Sequence, residues 1–162
     1  MNTYSRILFI CTGNTCRSPM SATIMQQFLQ NTDILVESRG MVVLFPEPYN
    51  PKAVAVAARH GMIMPSNSTV QLSNSDFDNN TLVLVMNSSM KQKIYENYDS
   101  AINVYTLSEF AGAGDVEVAD PYGRGIDEYN KCFEELYVLI EKVAETIRKN
   151  MEENDNDNSN RM

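Results

Sequence analysis

The sequence predicts an α/β fold: a single three-layer domain in which a four-stranded parallel sheet carries helices on both faces. Two observations lead to this prediction. Short apolar runs rich in β-branched residues alternate with segments of helical periodicity, which is typical of parallel strands joined by crossover helices. The runs are also apolar at nearly every position, as in Leu82-Val83-Leu84-Val85, which indicates strands buried on both faces.

Eight segments supply the expected strands and helices. In chain order they are a strand over 7–10, a helix carrying Met20, Ile24 and Phe28, a strand over 34–36, a helix over 51–60, a strand over 81–85, a helix over 88–97, a strand over 101–104 and a helix from 126 to 147. The last helix has the clearest pattern, because its apolar residues recur at spacings of three and four between Ile126 and Ile147. Acidic residues near its start and basic residues near its end suit the helix dipole.

Composition indicates one folded domain followed by a short tail. At 162 residues with 43% hydrophobic content, the chain has enough apolar surface for one core. We expect this domain to cover residues 1–150. Residues 151–162 are rich in Asn, Asp and Glu and lack apolar periodicity, so we expect them to form an acidic, disordered tail.

Charge and cysteine content exclude several classes of protein. A formal net charge of -8 disfavours nucleic acid and anionic membranes as partners. No apolar stretch is long enough to cross a bilayer and the first residues lack a signal-like segment, so we expect a cytoplasmic location. Three cysteines argue against a disulfide scaffold and fit a reducing compartment. The single histidine, His60, has no ligand pattern around it, so we expect no metal site.

Residues 11–19 carry the strongest functional signal. They read Cys-Thr-Gly-Asn-Thr-Cys-Arg-Ser-Pro and lie directly between the first expected strand and the first expected helix. A loop that leads into a helix N-terminus binds anions, phosphate above all, through its unpaired N–H groups and the helix dipole. Such a field favours the thiolate form of Cys11, and Arg17, six residues later, could grip two phosphate oxygens. The segment therefore combines a nucleophile with a phosphate clamp.

The remaining loop residues suit a curled backbone. Gly13 can adopt positive φ and Asn14 tolerates the left-handed region, so the loop amides can converge. Ser18 and Pro19 are typical of an N-cap followed by a first helical residue, although the Ser18 hydroxyl could instead donate to the Cys11 sulfur. The alternative interpretation is a buried core cysteine before an ordinary helix. That interpretation leaves the arginine and the curled loop unexplained.

A thiolate that breaks a phosphate ester or phosphoramidate needs a proton donor for the leaving group, and the Cys11 loop contains none. Asp120 is the best candidate, because it follows the glycine-rich segment 112–114 and precedes the last helix. Pro121 restricts the Asp120 backbone to extended conformations, and Tyr122 could line a pocket. Asp-Pro-Tyr-Gly by itself is a turn. Together with the Cys11 loop it predicts a general acid.

Residues 11–19 together with 120–122 resemble the low-molecular-weight protein tyrosine phosphatase family, over nearly all of the chain before the tail. The resemblance implies that Cys11 forms a phosphocysteine, that Arg17 clamps the phosphate and the transition state, and that Asp120 acts first as general acid and then as base. It also implies that Asn14 shapes the loop and that Ser18 stabilises the thiolate. The family uses no metal or cofactor, and its fold is a four-stranded parallel sheet flanked by helices.

Two positions resemble the bacterial protein arginine phosphatase branch of that family. Thr15 stands where tyrosine phosphatases usually carry a bulky apolar residue, and Gly123 stands where they often carry a second tyrosine. The threonine hydroxyl favours a phosphoramidate over a phenyl phosphate. The implied partner is a phosphorylated protein, with inorganic phosphate as product. The residues expected to bind substrate are Thr12, Gly13, Asn14, Thr15, Cys16, Ser18 and Tyr122.

The sequence leaves other substrates and other functions open. A phosphotyrosine substrate is the main alternative, and the segments 38–40 and 44–50 differ from the family's usual pattern, which bears on substrate preference. A phosphocysteine carrier or phosphate-binding module could keep the loop without needing Asp120. An arsenate reductase would need further cysteines, and none lies between Cys16 and Cys132. Cys16 either fills the loop or, as in relatives, forms a reversible disulfide with Cys11.

Overall fold

The computed structural model of the protein describes residues 3–162, and the strands and helices below belong to that range. In chain order they are β1 (Arg6–Cys11), α1 (Arg17–Phe28), β2 (Leu35–Gly40), α2 (Pro51–Arg59), β3 (Thr81–Val85), α3 (Ser88–Asn97), β4 (Val104–Thr106), α4 (Leu107–Phe110) and α5 (Ile126–Arg161), with a 3₁₀ turn at Asn74–Asp76 between α2 and β3.

The four strands form one parallel sheet in the order β2-β1-β3-β4. The predicted fold class is confirmed. The connection through α1 leads outward from β1 to β2, and the connection through α3 leads the opposite way from β3 to β4. Because such crossovers are right-handed, α1 and α3 lie on opposite faces of the sheet. Coverage of both faces explains why all five residues of β3 are buried.

The strand order also determines where a ligand can bind. The chain direction across the sheet reverses between β1 and β3, and ligands of open parallel sheets bind at such a point, beside the carboxyl ends of the strands. Strand β1 ends at Cys11. The fold therefore places the cysteine loop at the mouth of this crevice.

Helix α5 closes the core on the α1 side of the sheet, where it packs against α1 and α2. Its apolar stripe is as periodic as the sequence predicts. Tyr129, Phe133, Leu136 and Ile140 are fully buried. Burial of large side chains of this kind contributes about 1.5–3 kcal/mol each, so α5 is a principal source of stability.

Two strands differ from their predicted bounds by more than one residue at an end. Strand β2 continues to Gly40. Glu37 and Arg39 lie on the more exposed face of this edge strand, where they pair with each other. Polar residues there hid the strand from an apolar-run criterion. Strand β4 begins at Val104 rather than at 101, because Asn103 turns the chain with a φ of 57°.

The expected disordered tail is a third difference. Helix α5 runs for 36 residues to Arg161, so the structure has helix over residues 151–161 where the sequence predicts disorder. Adding residues to an established helix costs little, because nucleation is already complete. The last buried residue of α5 is Ile147, so the final turns extend beyond the core. Within residues 3–162, no helix has the length and apolarity to cross a membrane.

Candidate active site

The loop between β1 and α1 spans residues 12–16 and is curled around its own backbone. Asn14 takes the left-handed conformation, with a φ of 60°, whereas Gly13 is not among the residues with positive φ. Of the two residues expected to permit a positive φ, only Asn14 adopts one. None of the N–H groups of residues 13–16 donates to an acceptor among the described residues. These donors are available to an anion.

The Asn14 side chain is fully buried, and three hydrogen bonds engage both its donors and its carbonyl oxygen. Its Nδ2 donates to Ser18 Oγ and to Ser38 Oγ, both at 2.8 Å. Its Oδ1 accepts from the backbone N of Val70 at 2.9 Å. Asn14 thereby ties the loop to α1, to β2 and to the segment after α2.

The Ser18 hydroxyl lies 2.9 Å from the Cys11 sulfur. Because Asn14 donates to Ser18 Oγ, the hydroxyl proton of Ser18 points elsewhere, and its acceptors within reach are the Cys11 sulfur and the more distant Arg39 carbonyl oxygen at 3.4 Å. Helix α1 begins at Arg17, and Ser18 is inside its first turn, so the predicted N-cap role of Ser18 is wrong. The alternative partner expected for the Ser18 hydroxyl, the Cys11 sulfur, lies within hydrogen-bond distance. A hydroxyl donor at this distance stabilises a thiolate.

Arg17 connects the cysteine loop with a second loop. Its side chain is 4% exposed. Nη1 donates to the carbonyl oxygen of Val118 at 3.0 Å, and Nη2 lies 3.4 Å from Thr12 Oγ1. Nη2 also lies 3.6 Å from the Asp120 carboxylate. One cation thus joins two loops that are far apart in sequence.

Asp120 lies in a tight turn whose side chains reach the site mouth. Its Oδ1 accepts from the backbone N of Tyr122 at 3.1 Å, and the N of Arg124 donates to the Pro121 carbonyl at 2.9 Å. The Asp120 side chain is 47% exposed. Tyr122 is 70% exposed. The carboxyl can therefore reach a ligand from the solvent side while Arg17 holds it from within.

Thr15 and Cys16 complete the loop on the side facing α2 and α5. The Thr15 carbonyl accepts from the backbone N of Asn50 at 3.0 Å, and its hydroxyl lies 3.5 Å from Cys16 Sγ. The Cys16 thiol donates to Tyr129 Oη at 3.4 Å. Burial raises the pKa of Cys16, and burial together with this hydrogen bond raises the pKa of Tyr129. Both groups are neutral at physiological pH.

Three residues that contribute to this site are not predicted by the sequence pattern. Tyr129 matches the apolar stripe of α5, and Ser38 lies in a stretch with no apolar run, so neither gave a signal. Gly40 supports the loop by close approach: a Cβ there would lie 3.0 Å from the carbonyl carbon of Gly13 and 3.1 Å from Asn14 Cβ. Only the strand register, which places Gly40 beside Cys11, brings it to the site.

Comparison with known proteins identifies the family. The profile of the family described as low molecular weight phosphotyrosine protein phosphatase matches residues 6–154. The chain belongs to this family. It is therefore a protein phosphatase, and the predicted resemblance is confirmed.

Similar low-molecular-weight phosphatases carry two different names. The protein-tyrosine-phosphatase PtpB of Staphylococcus haemolyticus is 37% identical over 139 residues, covering 85% of this chain and 96% of that protein. The protein-arginine-phosphatase of Geobacillus stearothermophilus is 35% identical over 144 residues, covering 88% of this chain and 96% of that protein. Sequence identity alone does not separate the two activities.

Solved structures of the family superpose closely on this phosphatase. The YwlE arginine phosphatase of Geobacillus stearothermophilus has a TM-score of 0.85 at 34% identity, over 91% of this chain and 96% of that one. The low molecular weight protein tyrosine phosphatase of T. tengcongensis has a TM-score of 0.81 at 34% identity, over 87% of this chain and 98% of that one. Among residues 3–162 of this phosphatase, no three His, Cys, Asp or Glu side chains are grouped to hold a metal.

Proposed function

We propose that this phosphatase hydrolyses phosphoarginine in proteins, with Cys11 as nucleophile, Arg17 as phosphate clamp and Asp120 as general acid and base. The observation that carries the proposal is Thr15, a half-buried polar residue in the loop with free amides. A compact hydroxyl side chain there provides little apolar contact for a phenyl ring. It offers a hydrogen-bonding group to the N–H groups of a guanidinium instead.

The proposed reaction has two steps that use the same residues. The Cys11 thiolate attacks phosphorus, the P–N bond breaks, and Asp120 gives its proton to the leaving nitrogen, which leaves a phosphocysteine. Water then attacks phosphorus, Asp120 takes a proton from it, and the S–P bond breaks. The products are a free arginine side chain, inorganic phosphate and the restored thiolate.

The other loop residues stabilise charge during both steps. Arg17 binds two phosphate oxygens, and the free N–H groups of residues 13–16 bind the remaining charge. Thr12, next to Arg17, orients the guanidinium through its hydroxyl. Ser18 stabilises the sulfur both as attacking and as leaving group. Support for a covalent intermediate comes from a YwlE mutant with a phosphorylated active-site serine, at 28% identity and a TM-score of 0.83.

Phosphotyrosine hydrolysis is the second candidate function. The 37% identity to PtpB, a tyrosine phosphatase, favours it. Tyr122, exposed at the mouth of the site, offers an aromatic face against which a phenyl ring could stack. In both cases the partner is a phosphorylated protein.

The three cysteines are free, which supports the proposed location in a reducing cytoplasm.

The deciding experiment measures phosphate release by the purified protein from one phosphoarginine-containing and one phosphotyrosine-containing protein, side by side. We expect faster release from phosphoarginine and none from either by the Cys11→Ser control. Preference for phosphotyrosine would establish the second candidate. A single labelling of Cys11 without repeated release would indicate a phosphocysteine carrier, and normal turnover by Cys11→Ser would refute the mechanism.

The role of Thr15 has its own test. Thr15→Ile should shift the ratio of kcat/KM for phosphotyrosine over phosphoarginine upward by about tenfold, because it exchanges a hydroxyl for apolar contact. Thr15→Val, which keeps the shape and removes the hydroxyl, is the matched control that separates the two effects. An unchanged ratio in both variants would show that Thr15 does not determine substrate preference.

A further inference from the structure

Lys52, in the first turn of α2, reaches across to the loop that carries Asp120. Its Nζ donates to the carbonyl oxygen of Arg124 at 2.6 Å. The same ammonium group lies 5.7 Å from the centroid of the Tyr129 ring. A lysine ammonium has three donors on a long stem and is attracted to aromatic faces, so both contacts are satisfied together.

The contact with Arg124 holds the end of the turn that Arg17 does not reach. Arg17 binds Val118 and Asp120 at the beginning of the turn. The hydrogen bond from the Arg124 N–H to the Pro121 carbonyl closes the turn internally. The Asp120 carboxyl is half exposed, so burial does not hold it in place. Its position depends on how the two ends of the turn are held.

Hydrogen bonds of Asn50 connect the backbone of Lys52 to the loop of residues 12–16. Asn50, two residues before Lys52, donates its N–H to the Thr15 carbonyl at 3.0 Å, and its side chain caps α2 by accepting from the Lys52 N–H at 2.9 Å. Tyr129, beneath the ammonium, accepts a hydrogen bond from Cys16. Lys52 therefore links the turn that carries Asp120 to the loop that would hold the phosphate, and the position of one depends on the position of the other.

We propose that Lys52 is a positioning residue for the general acid: it fixes the far end of the turn 120–124 and so sets the distance from Asp120 to the leaving group. It does this without touching the substrate. The inference rests on the proposed role of Asp120. A displacement of a catalytic group by about 1 Å can lower the rate up to about a hundredfold, so a shift of the turn on loss of this hydrogen bond is measurable as a change in rate.

The test compares two substrates that differ in their need for a proton. Nitrophenolate leaves readily as an anion, whereas phenolate needs protonation, so kcat/KM for phenyl phosphate depends more on the acid than kcat/KM for p-nitrophenyl phosphate does. Lys52→Met keeps the stem and removes the donor. We expect it to lower kcat/KM for phenyl phosphate about tenfold and to change the p-nitrophenyl value less than about twofold.

Three controls distinguish positioning from a general structural effect. Lys52→Arg keeps a cationic donor and should recover most of the phenyl phosphate activity. Lys93→Met, an exposed lysine on α3, should match the wild type with both substrates. Thermal unfolding of each variant reports whether the fold is intact. Equal loss with both substrates would mean that Lys52 is only structural, and this outcome would overturn the proposal.

A double variant tests the route of the effect. If Lys52 acts through Asp120, Lys52→Met combined with Asp120→Asn should be no slower on phenyl phosphate than Asp120→Asn alone. Additive losses would contradict the proposal. If the Lys52→Met variant keeps its fold and has wild-type activity with both substrates, Lys52 has no positioning role. The proposed function would be unaffected by that result. Absence of a selective effect in Asp120→Asn would reject the general acid, and with it the role of Lys52.

Discussion

The amide of Asn14 controls the environment of Cys11 although it does not contact the sulfur. It donates to the Ser18 oxygen, so the Ser18 proton points away from Asn14, towards the sulfur at 2.9 Å or the Arg39 carbonyl oxygen at 3.4 Å. It also carries the left-handed turn of the loop. Aspartate at this position would lack the donor, and alanine would leave the Ser38 hydroxyl and the Val70 N–H without their partner. Each buried polar group that loses its partner costs about 1–3 kcal/mol.

Asp120 is the residue whose removal separates the two proposed steps. Asp120→Ala should lower turnover of p-nitrophenyl phosphate by about a hundredfold or more, because the base for water is lost. The first step, with its good leaving group, should be affected less. Rapid quenching followed by mass measurement should therefore show accumulation of phosphorylated Cys11.

Asp115 provides the matched control for that experiment. It is exposed and accepts a hydrogen bond from the Ser88 hydroxyl, outside the Cys11–Arg17 site. Asp115→Ala should leave turnover within about twofold of wild type, as expected for a surface substitution. Wild-type turnover and no trapped intermediate in Asp120→Ala would contradict the assignment.

The two buried cysteines other than Cys11, the proposed nucleophile, should be unreactive in the folded protein. Burial raises the pKa of Cys132 to about 12 and also raises the pKa of Cys16. A thiol with a raised pKa stays protonated below that value, and only the thiolate is nucleophilic. At pH 7, iodoacetamide should therefore leave both cysteines unmodified, as peptide mass mapping would show. Denatured protein, in which all three react, is the control, and early modification of native Cys132 would contradict the prediction.

At the scale of elements, the end of β2 supports the loop of residues 12–16 through Gly40. In Gly40→Ala the new Cβ would meet Val43 Cγ2 at 2.6 Å and the carbonyl carbon of Gly13 at 3.0 Å. The valine side chain can move, whereas the loop backbone must shift by a few tenths of an ångström. We expect the anion site to lose its alignment, with kcat/KM lowered about tenfold and weaker inhibition by inorganic phosphate.

Steady-state kinetics with phosphate as a competitive inhibitor tests this, and circular dichroism checks the fold. A Gly40→Ala protein that folds and binds phosphate as tightly as the wild type would show that the close approach is not required. A protein that fails to fold would indicate that Gly40 serves the β1–β2 pairing itself. Phosphate inhibition measured below the melting temperature distinguishes these outcomes.

For the whole molecule, the last turns of α5 lie outside the core. A chain ending at Asn154 should melt within about 2 °C of the full chain and keep its activity, because the last buried residue of the helix is Ile147. A chain ending at Ala144 removes Ile147 and should lose about 2–5 kcal/mol of unfolding free energy. Calorimetry compares the two. Loss of activity in the longer chain would show that the acidic turns have a function.

The acidic turns also show how a whole-chain property can override composition. Residues 151–161 have few good helix formers and no buried apolar stripe, so the sequence favours disorder. They are helical because they continue a helix that Phe133 and Leu136 anchor in the core. Propagation from an existing end needs no new nucleus. The same residues in isolation would not be expected to form a helix.

The sequence by itself determined the fold class and the family, and it pointed to Cys11, Arg17 and Asp120 as candidates. These features are local: alternating strands and helices, a cysteine and an arginine in one loop, and an aspartate before a proline are each encoded in neighbouring residues. Local patterns survive in a single sequence because they reflect backbone preferences and spacing.

Only the tertiary structure decided how the site is held together. The bond from Asn14 to Ser38 joins residues 24 positions apart, that from Lys52 to Arg124 joins residues 72 apart, and that from Cys16 to Tyr129 joins residues 113 apart. In the sequence these partners are an ordinary serine, a surface lysine and a core tyrosine. Their roles depend on which strands pair and which helices pack. The burial of the entire core, rather than any local pattern, brings these residues within hydrogen-bond distance of one another.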